Sequence, residues 1–337
     1  MNINAKVARL LNPFELVFAD EQLSRDELSD QHLLCETMVS AISPGTELAA
    51  YSGMPPLRPG KVYPRLVGYC NVARVIACGR GVQSIAEGDY ILTGASHRSH
   101  YICTAQDIMA VLPAGISQQH AACTYLYHLA YDAILKSTVC YGSPVVIIGL
   151  GALGLSTTAV ANNAGAEVYA LSEHPIPAEK ALTAGAKGVF CRRQIDSLFD
   201  RLGERLADTV ITTTNSWSDW QLALELAGRN GTISALGFPG RGQSQANLNP
   251  LDSQYFYDKQ LRIQAVGMAP ATIDSREFLK FNEADNIQFL LQQINCGRLN
   301  PDLLISGHWP WHQLKQAYDA LLARENSPIT YLLQWQD

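Results

Sequence analysis

The chain has 337 residues, of which 47% are hydrophobic and 17% charged, where an average soluble domain carries roughly 25% charged residues. With 25 glycines and ample apolar material, this composition argues against disordered, collagenous and low-complexity chains and sets two domains as the expectation. The formal net charge of −6 argues against a dedicated nucleic-acid binder, because phosphate contacts require a basic face.

Eight cysteines, at 35, 70, 78, 103, 123, 140, 191 and 296, contain no CxxC. Neither a zinc knuckle nor a thioredoxin-type pair is encoded locally, and the expectation is scattered buried thiols in a reducing cytosol. The N-terminal stretch carries Glu15, Asp20 and Glu21 and lacks the pattern of a signal peptide. A charge-free run from Ser137 to Ala166 is interrupted by five glycines and by Asn162-Asn163, which reads as strand, turn and helix rather than a membrane span. A cytoplasmic protein without nucleic-acid or membrane partners is expected.

In chain order, residues 1 to about 115 read as short strands (KVARLL, HLLCETMVSAI, NVARVIACG, DYILTG) separated by turn-rich pieces such as SPGTE, SGMPPLRPGK and RGVQSIAEGD. From about Ser117 helical lengths begin with QQHAACTYLYHLAYDAILKS. Buried strands at 145–149, 168–172, 188–191, 209–214 and 233–238 then alternate with the crossover segments LGLSTTAVANNAG, PAEKALTAG and SDWQLALELAG. That alternation predicts an α/β domain with a doubly wound parallel sheet covered on both faces. From about Thr272 two amphipathic helices, DNIQFLLQQINCG and HQLKQAYDALLAR, precede a terminal strand, ITYLLQW. A tail returning to the first domain would make that domain discontinuous.

The strongest local signal is VVIIGLGALG (145–154), a buried strand followed at once by GxGxxG and a helix. Gly149 permits the tight turn, Gly151 lets the backbone approach a pyrophosphate, and Gly154 allows helix to pack on strand. Ala152 and Leu153 open the helix, whose free N–H groups face the phosphates. Eighteen residues after Gly154, where an acidic side chain would grip a ribose 2′-hydroxyl, stands Ser172, followed by Glu173. Serine donates to a phosphate, and His174, Lys180, Arg192 and Arg193 follow nearby. NADP(H) is therefore the expected cofactor, with NAD(H) the alternative that Glu173 favours; a solvated charge pair is the plain reading of Arg192 and Arg193.

Over essentially its whole length the sequence resembles the medium-chain dehydrogenase/reductase superfamily of zinc alcohol dehydrogenases and quinone reductases. The resemblance rests on ISPGTE (42–47), GYCNVARVIACG (68–79), Gly88-Asp89, the Rossmann unit from Pro144 to Gly185, ALGFPG (235–240) and the tail from Gly297. It implies a GroES-like β domain from residues 1–127 and 267–337 and a Rossmann domain from 128–266. It further implies an active site in the cleft, cofactor contacts from Thr213, Thr214, Leu236, Gly237 and Phe238, and a homodimer formed through the Rossmann sheet.

The departures from that pattern bear on the chemistry. The family's zinc cysteine falls on the Ser43-Pro44 region, its GHE motif has become Gly68-Tyr69-Cys70, and only the third ligand type survives, as Cys123. Catalytic zinc takes three protein ligands and an open position, and Ser43 and Tyr69 are poor donors, so no zinc is expected; the alternative is a rearranged site using Cys70, Cys123 and His97 or His100. The resemblance places Tyr69 at the lost histidine, Tyr127 where relatives carry a hydroxyl in the proton path, and Glu47, with Thr46 beside it, at an acidic position near the active site. These four are the candidates for proton chemistry, and packing or capping is the plain alternative for each. His97 and His100 are expected to border the cleft. The reading is a zinc-independent NAD(P)(H)-dependent oxidoreductase acting on a small or medium organic, biosynthetic substrate, by alcohol/ketone interconversion or reduction of an activated double bond. The alternatives are a quinone or enoyl reductase and a non-catalytic NADP-binding sensor or partner subunit.

Overall fold

A computed structural model describes residues 2–55, 62–267, 269 and 282–336. The turn-rich residues 56–61 and the change of character near Thr272 lie outside them. Two compact units emerge, Met1–Tyr125 with Pro270–Asp337, and Leu126–Ala269.

The first unit opens with a hairpin of β1 (Asn2–Asn12) and β2 (Glu15–Ser24). Next come β3 (His32–Ala41), α1 (Pro44–Ser52), β4 (Arg65–Leu66), β5 (Cys70–Cys78) and β6 (Tyr90–Thr93). β7 (His100–Thr104), β8 (Ile108–Val111) and α2 (Gln118–Ala122) complete its first segment. The helical run expected over 118–137 breaks at Cys123, and the unit boundary falls inside the helix that follows, α3 (Thr124–Lys136).

The second unit contains β9 (Pro144–Ile148), α4 (Ala152–Asn163), β10 (Glu167–Leu171), α5 (Pro175–Thr183) and β11 (Gly188–Phe190). It continues with α6 (Ile195–Leu202), β12 (Ala207–Thr212), α7 (Trp217–Leu226), β13 (Ala227–Ala235) and β14 (Arg262–Ala265). Its strands pair in the order β11-β10-β9-β12-β13-β14, all parallel. The central strands are apolar along their length because helices cover both faces; Val145, Val146, Ile147, Val210 and Ile211 are fully buried.

The tail adds α8 (Glu283–Asn295), β15 (Ile305–Pro310), α9 (Leu314–Ala323) and β16 (Thr330–Gln334) to the first unit. β3 pairs with β5 along one edge. Along the other it pairs with β7 over His32–Glu36 and with β16 over Val39–Ala41. The tail strand is therefore an interior member of the sheet β15-β16-β3-β5-β6-β8. Tyr318 and Leu321 of α9 and Trp335 after β16 bury against Tyr51 of α1 and Leu10 of β1 in one core.

Candidate functional site

In the second unit the glycine turn is built by close approach. Gly149 follows β9 at φ +94°, and a Cβ on it would lie 2.4 Å from Thr214 Cγ2. A Cβ on Gly154 would lie 1.9 Å from the Gly149 carbonyl oxygen, so α4 sits directly on the turn. The Thr213 hydroxyl donates to the Ile148 and Gly149 carbonyls at 3.2 and 3.0 Å, pinning the turn to the end of β12. Gly237 presses on the same place, its Cβ position 2.3 Å from the Thr214 carbonyl oxygen, and the Leu236 and Gly237 N–H groups both donate to Thr212. Phe238, half-exposed, takes the Asn215 side-chain oxygen on its N–H.

The glycines at 149, 151 and 154, Thr213-Thr214 and Leu236-Gly237-Phe238 thus gather at the carboxyl ends of β9, β12 and β13, where open α/β sheets bind ligands. Gly151 is the N-cap of α4 with no side-chain cap, and a Cβ there would meet nothing within 4 Å. The N–H groups of the first turn, from Ala152 to Gly154, lack intrahelical acceptors, and the space beside Gly151 is open. This cradle fits a dinucleotide pyrophosphate.

Beyond β10 the Ser172 hydroxyl is folded into a tight turn, accepting from the His174 N–H at 3.1 Å and donating to the His174 carbonyl. Glu173 accepts the backbone N–H of Arg192 at 2.8 Å. The Arg192 guanidinium donates to Asp219 Oδ1 and, at 3.2 Å, to Ser218. Asp219 in turn accepts the Thr214 hydroxyl on Oδ2 at 2.6 Å. Asp219 escaped the sequence reading because it lies 27 residues from Arg192. Lys180 is half-buried on α5, and His174 is the exposed residue preceding that helix.

In the first unit Glu47 is buried in the first turn of α1, which Pro44 starts with its fixed φ and no N–H to satisfy. Its Oε1 accepts the Ser43 N–H at 2.6 Å. Its Oε2 takes His97 Nε2 at 2.8 Å and the Tyr318 hydroxyl at 2.5 Å. His97 Nδ1 lies 2.8 Å from Ser40 Oγ, which also accepts from Trp335 Nε1 at 2.9 Å. Because Trp335 is a donor only, the assignment that satisfies every group has the Ser40 hydroxyl donating to Nδ1 and Nε2–H donating to Glu47. A Cβ on Gly68, which has φ +88°, would lie 2.7 Å from the His97 ring, so only glycine fits there.

His97, expected at a cleft border, is thus a fully buried network residue with both ring nitrogens engaged. Its side chain turns inward because its backbone is clamped by Val67 and Ala8. His100 opens β7 with Nε2 3.9 Å from Glu36 of β3, and burial lowers its pKa below the ordinary value.

Tyr69 donates to the Ser43 hydroxyl, and its ring meets Tyr125 edge-on at 5.4 Å. Burial raises its pKa, with Cys70 adding to the rise, against smaller opposing effects from Ser43 and Thr46. Thr46 is exposed on the first turn of α1. Tyr69, Ser43, Thr46 and Glu47 therefore form one connected group, of which Ser43 is the member that reading by residue type passed over as a proton carrier. Tyr127 belongs to the second unit and is fully buried in α3.

The profile of the zinc-binding dehydrogenase family matches residues 152–283. The sorbitol dehydrogenase of Bacillus subtilis (strain 168) is 25% identical over 170 residues, covering 49% of this chain and 47% of that protein, so the match spans about half the relative. The L-galactonate-5-dehydrogenase of Escherichia coli (strain K12) is 21% identical over 306 residues, covering 82% of this chain and 84% of its own. The chain is thus similar to zinc-binding dehydrogenases over residues 152–283 and to a curated dehydrogenase over most of its length. The crystal structure of 2R,3R-butanediol dehydrogenase from Bacillus subtilis has the same fold, with a TM-score of 0.81 at 17% identity, over 98% of this chain and 99% of that one.

The likeness to zinc-binding dehydrogenases raises the question of zinc, and the donor chemistry here does not fit it. Pro44 has no donor atom, and the Tyr69 hydroxyl is spent on Ser43. Cys70 and Cys123 are fully buried, and burial pushes the Cys123 thiol up to about 12, whereas the metal binds thiolate. Among the described residues no three His, Cys, Asp or Glu side chains converge as a metal site.

Proposed function

We propose that the protein is a zinc-independent, NAD(P)(H)-dependent oxidoreductase interconverting an alcohol and a carbonyl on a small, polar organic molecule. The observation that carries this reading is the glycine cradle, in which Gly149 and Gly154 are locked by contact while the Gly151 position stands open at the start of α4. The polyol and sugar-acid dehydrogenases among the relatives support a hydroxyl-rich substrate. The nicotinamide supplies or accepts the hydride when bound; the protein's share is to orient the substrate and handle one proton. Tyr69 has that part. Its raised pKa keeps the phenol protonated at neutral pH, as a donor to a developing alkoxide must be, and Ser43 with exposed Thr46 offers the path by which the proton is replaced. Glu47 holds this assembly in place.

NADP(H) is favoured, weakly, because Ser172 replaces the usual acid. A homodimer through β14 belongs to the same proposal, since this edge strand has no outer neighbour among the described residues and exposes Ile263.

The test is a fluorescence titration with NADH and NADPH, followed by turnover on a panel of sugar alcohols, sugar acids, ketones, enones and quinones, with metal analysis of the purified protein. Binding and turnover on polyols or their ketones, without stoichiometric zinc, is expected. Binding without turnover on any of the panel would make the protein a sensor, and one equivalent of tightly held zinc would overturn the metal-free mechanism.

A further inference from the structure

The proposed cofactor reading leaves open what sets the choice between NAD and NADP. We infer that Asp219 sets it, by holding and neutralising the Arg192 guanidinium, which is fixed beside the end of β10. The inference rests on the cradle binding a nicotinamide dinucleotide. A 2′-phosphate is a dianion placed at the end of the second strand, here Ser172-Glu173. Arg192 is tied to that place by its own backbone, whose N–H donates to Glu173, so its side chain is the natural phosphate clamp.

Instead the guanidinium is turned onto Asp219 and Ser218, at the start of α7. Asp219 is itself fixed by the Thr214 hydroxyl at 2.6 Å and is largely buried, with its side chain 16% exposed against 45% for Arg192. A carboxylate held from two sides does not follow an incoming phosphate, so the pair presents no net charge and Glu173 adds one negative charge beside it. Thr214 links this device to the glycine turn, because a Cβ on Gly149 would touch its methyl group. Asp219 is thus a specificity-determining residue that restrains NADP binding. The remaining N–H groups of Arg192 have no partner among the described residues and would serve a phosphate once the carboxylate charge is gone.

The experiment is fluorescence titration of NADH and NADPH against wild type, Asp219→Asn, Arg192→Gln and the double variant, with unfolding curves confirming that each is folded. Asp219→Asn keeps the shape and an oxygen for Thr214. It is expected to tighten NADPH on the order of 3- to 10-fold, the scale of one charge removed at a partly exposed site, while NADH changes less than about 2-fold. Arg192→Gln alone leaves the Asp219 carboxylate unneutralised and should weaken NADPH by a similar factor, on the order of 3- to 10-fold, with NADH little changed, and in the double variant the NADPH gain should vanish. Overturning results are an unmoved NADPH/NADH ratio in Asp219→Asn, weakened NADPH binding in that variant, or an NADPH loss far beyond that scale in Arg192→Gln alone. Either of the last two would mean that Arg192 already clamps the phosphate. Wild type that binds neither cofactor would overturn the functional reading and this inference with it, whereas wild-type binding with an unmoved ratio overturns the inference alone.

Discussion

Replacing Glu47 tests whether the buried network of the first unit is a scaffold for Tyr69. The carboxylate accepts from Ser43 N–H, His97 Nε2 and Tyr318 Oη at 2.6, 2.8 and 2.5 Å, with all four groups out of water. Glu47→Leu removes every acceptor at once and leaves three buried donors, each worth about 1–3 kcal/mol when orphaned. The three share one carboxylate and do not add, so the expected loss is about 3–5 kcal/mol, the scale of a broken buried pair. Glu47→Gln keeps the shape and one good acceptor. If its amide nitrogen faces His97, the imidazole answers by moving its proton to Nδ1 and donating to Ser40, so the expected cost is about 1–2 kcal/mol.

Urea unfolding followed by tryptophan fluorescence, with hydrogen exchange resolving α1, α9 and β16, reads the first unit. Cofactor titration serves as the control on the second. The expected pattern is a large loss of protection in Glu47→Leu, a small one in Glu47→Gln, and an unchanged cofactor affinity in both. Equal damage from the two variants, or wild-type protection in Glu47→Leu, would refute the scaffold argument.

Gly154→Ala should cost about 1–3 kcal/mol and abolish cofactor binding, because its Cβ meets the Gly149 carbonyl oxygen at 1.9 Å; Gly151→Ala, with open space around its Cβ, should unfold like wild type yet bind cofactor at least about 10-fold more weakly, as its methyl stands where the pyrophosphate approaches. Burial lowers His128 to about 4, Asp132 opposing and Lys136 adding to the fall. The unfolded chain therefore takes up a proton that the folded one refuses, so stability is full above about pH 6.5 and up to about 3 kcal/mol is lost as pH falls to 4. His128→Gln should flatten that limb in urea midpoints measured from pH 7 to 4. Tyr69→Phe should lower kcat on the reductive reaction about 10²-fold at saturating cofactor, with cofactor affinity unchanged by titration; an unchanged kcat removes Tyr69 from the proton path.

What the sequence disclosed followed from how far apart the interacting groups lie. The strand at 145–148, its glycine turn and α4 are one contiguous stretch whose periodicity and glycine spacing carry their own structural meaning. Ser43 with Glu47 is likewise a local pattern. The Glu47 network was illegible because its partners sit 50 and 271 residues away, at His97 and Tyr318, and no spacing rule joins them. Gly68 held a clue, since a glycine before a bulky aromatic invites the question of what packs on it, and the answer is the His97 ring. β14 was missed because RIQA at 262–265 alternates polar and apolar residues on an exposed edge rather than forming an apolar run. Arg192 was legible as a charge near the cofactor, but the carboxylate that holds it was not.

The tail's return has a consequence beyond completing a sheet. β16 fills the half of the β3 edge that β7 leaves unpaired, and the same return brings Trp335 to Ser40 and Tyr318 to Glu47. Ser40 lies on β3, Glu47 on α1 and His97 in the segment before β7, so residues from both ends of the chain meet on one carboxylate. The loop carrying Ser43 is fixed through that carboxylate, and Tyr69 is fixed through Ser43. The Tyr69–Ser43–Glu47 group is therefore complete only once the C-terminal segment has docked. The rigidity of this group comes from hydrogen bonds of long sequence separation. A network of that kind depends on every member being satisfied, which is why Glu47, whose three donors reach it from the loop before α1, the loop at His97 and α9, is the residue on which the assembly turns.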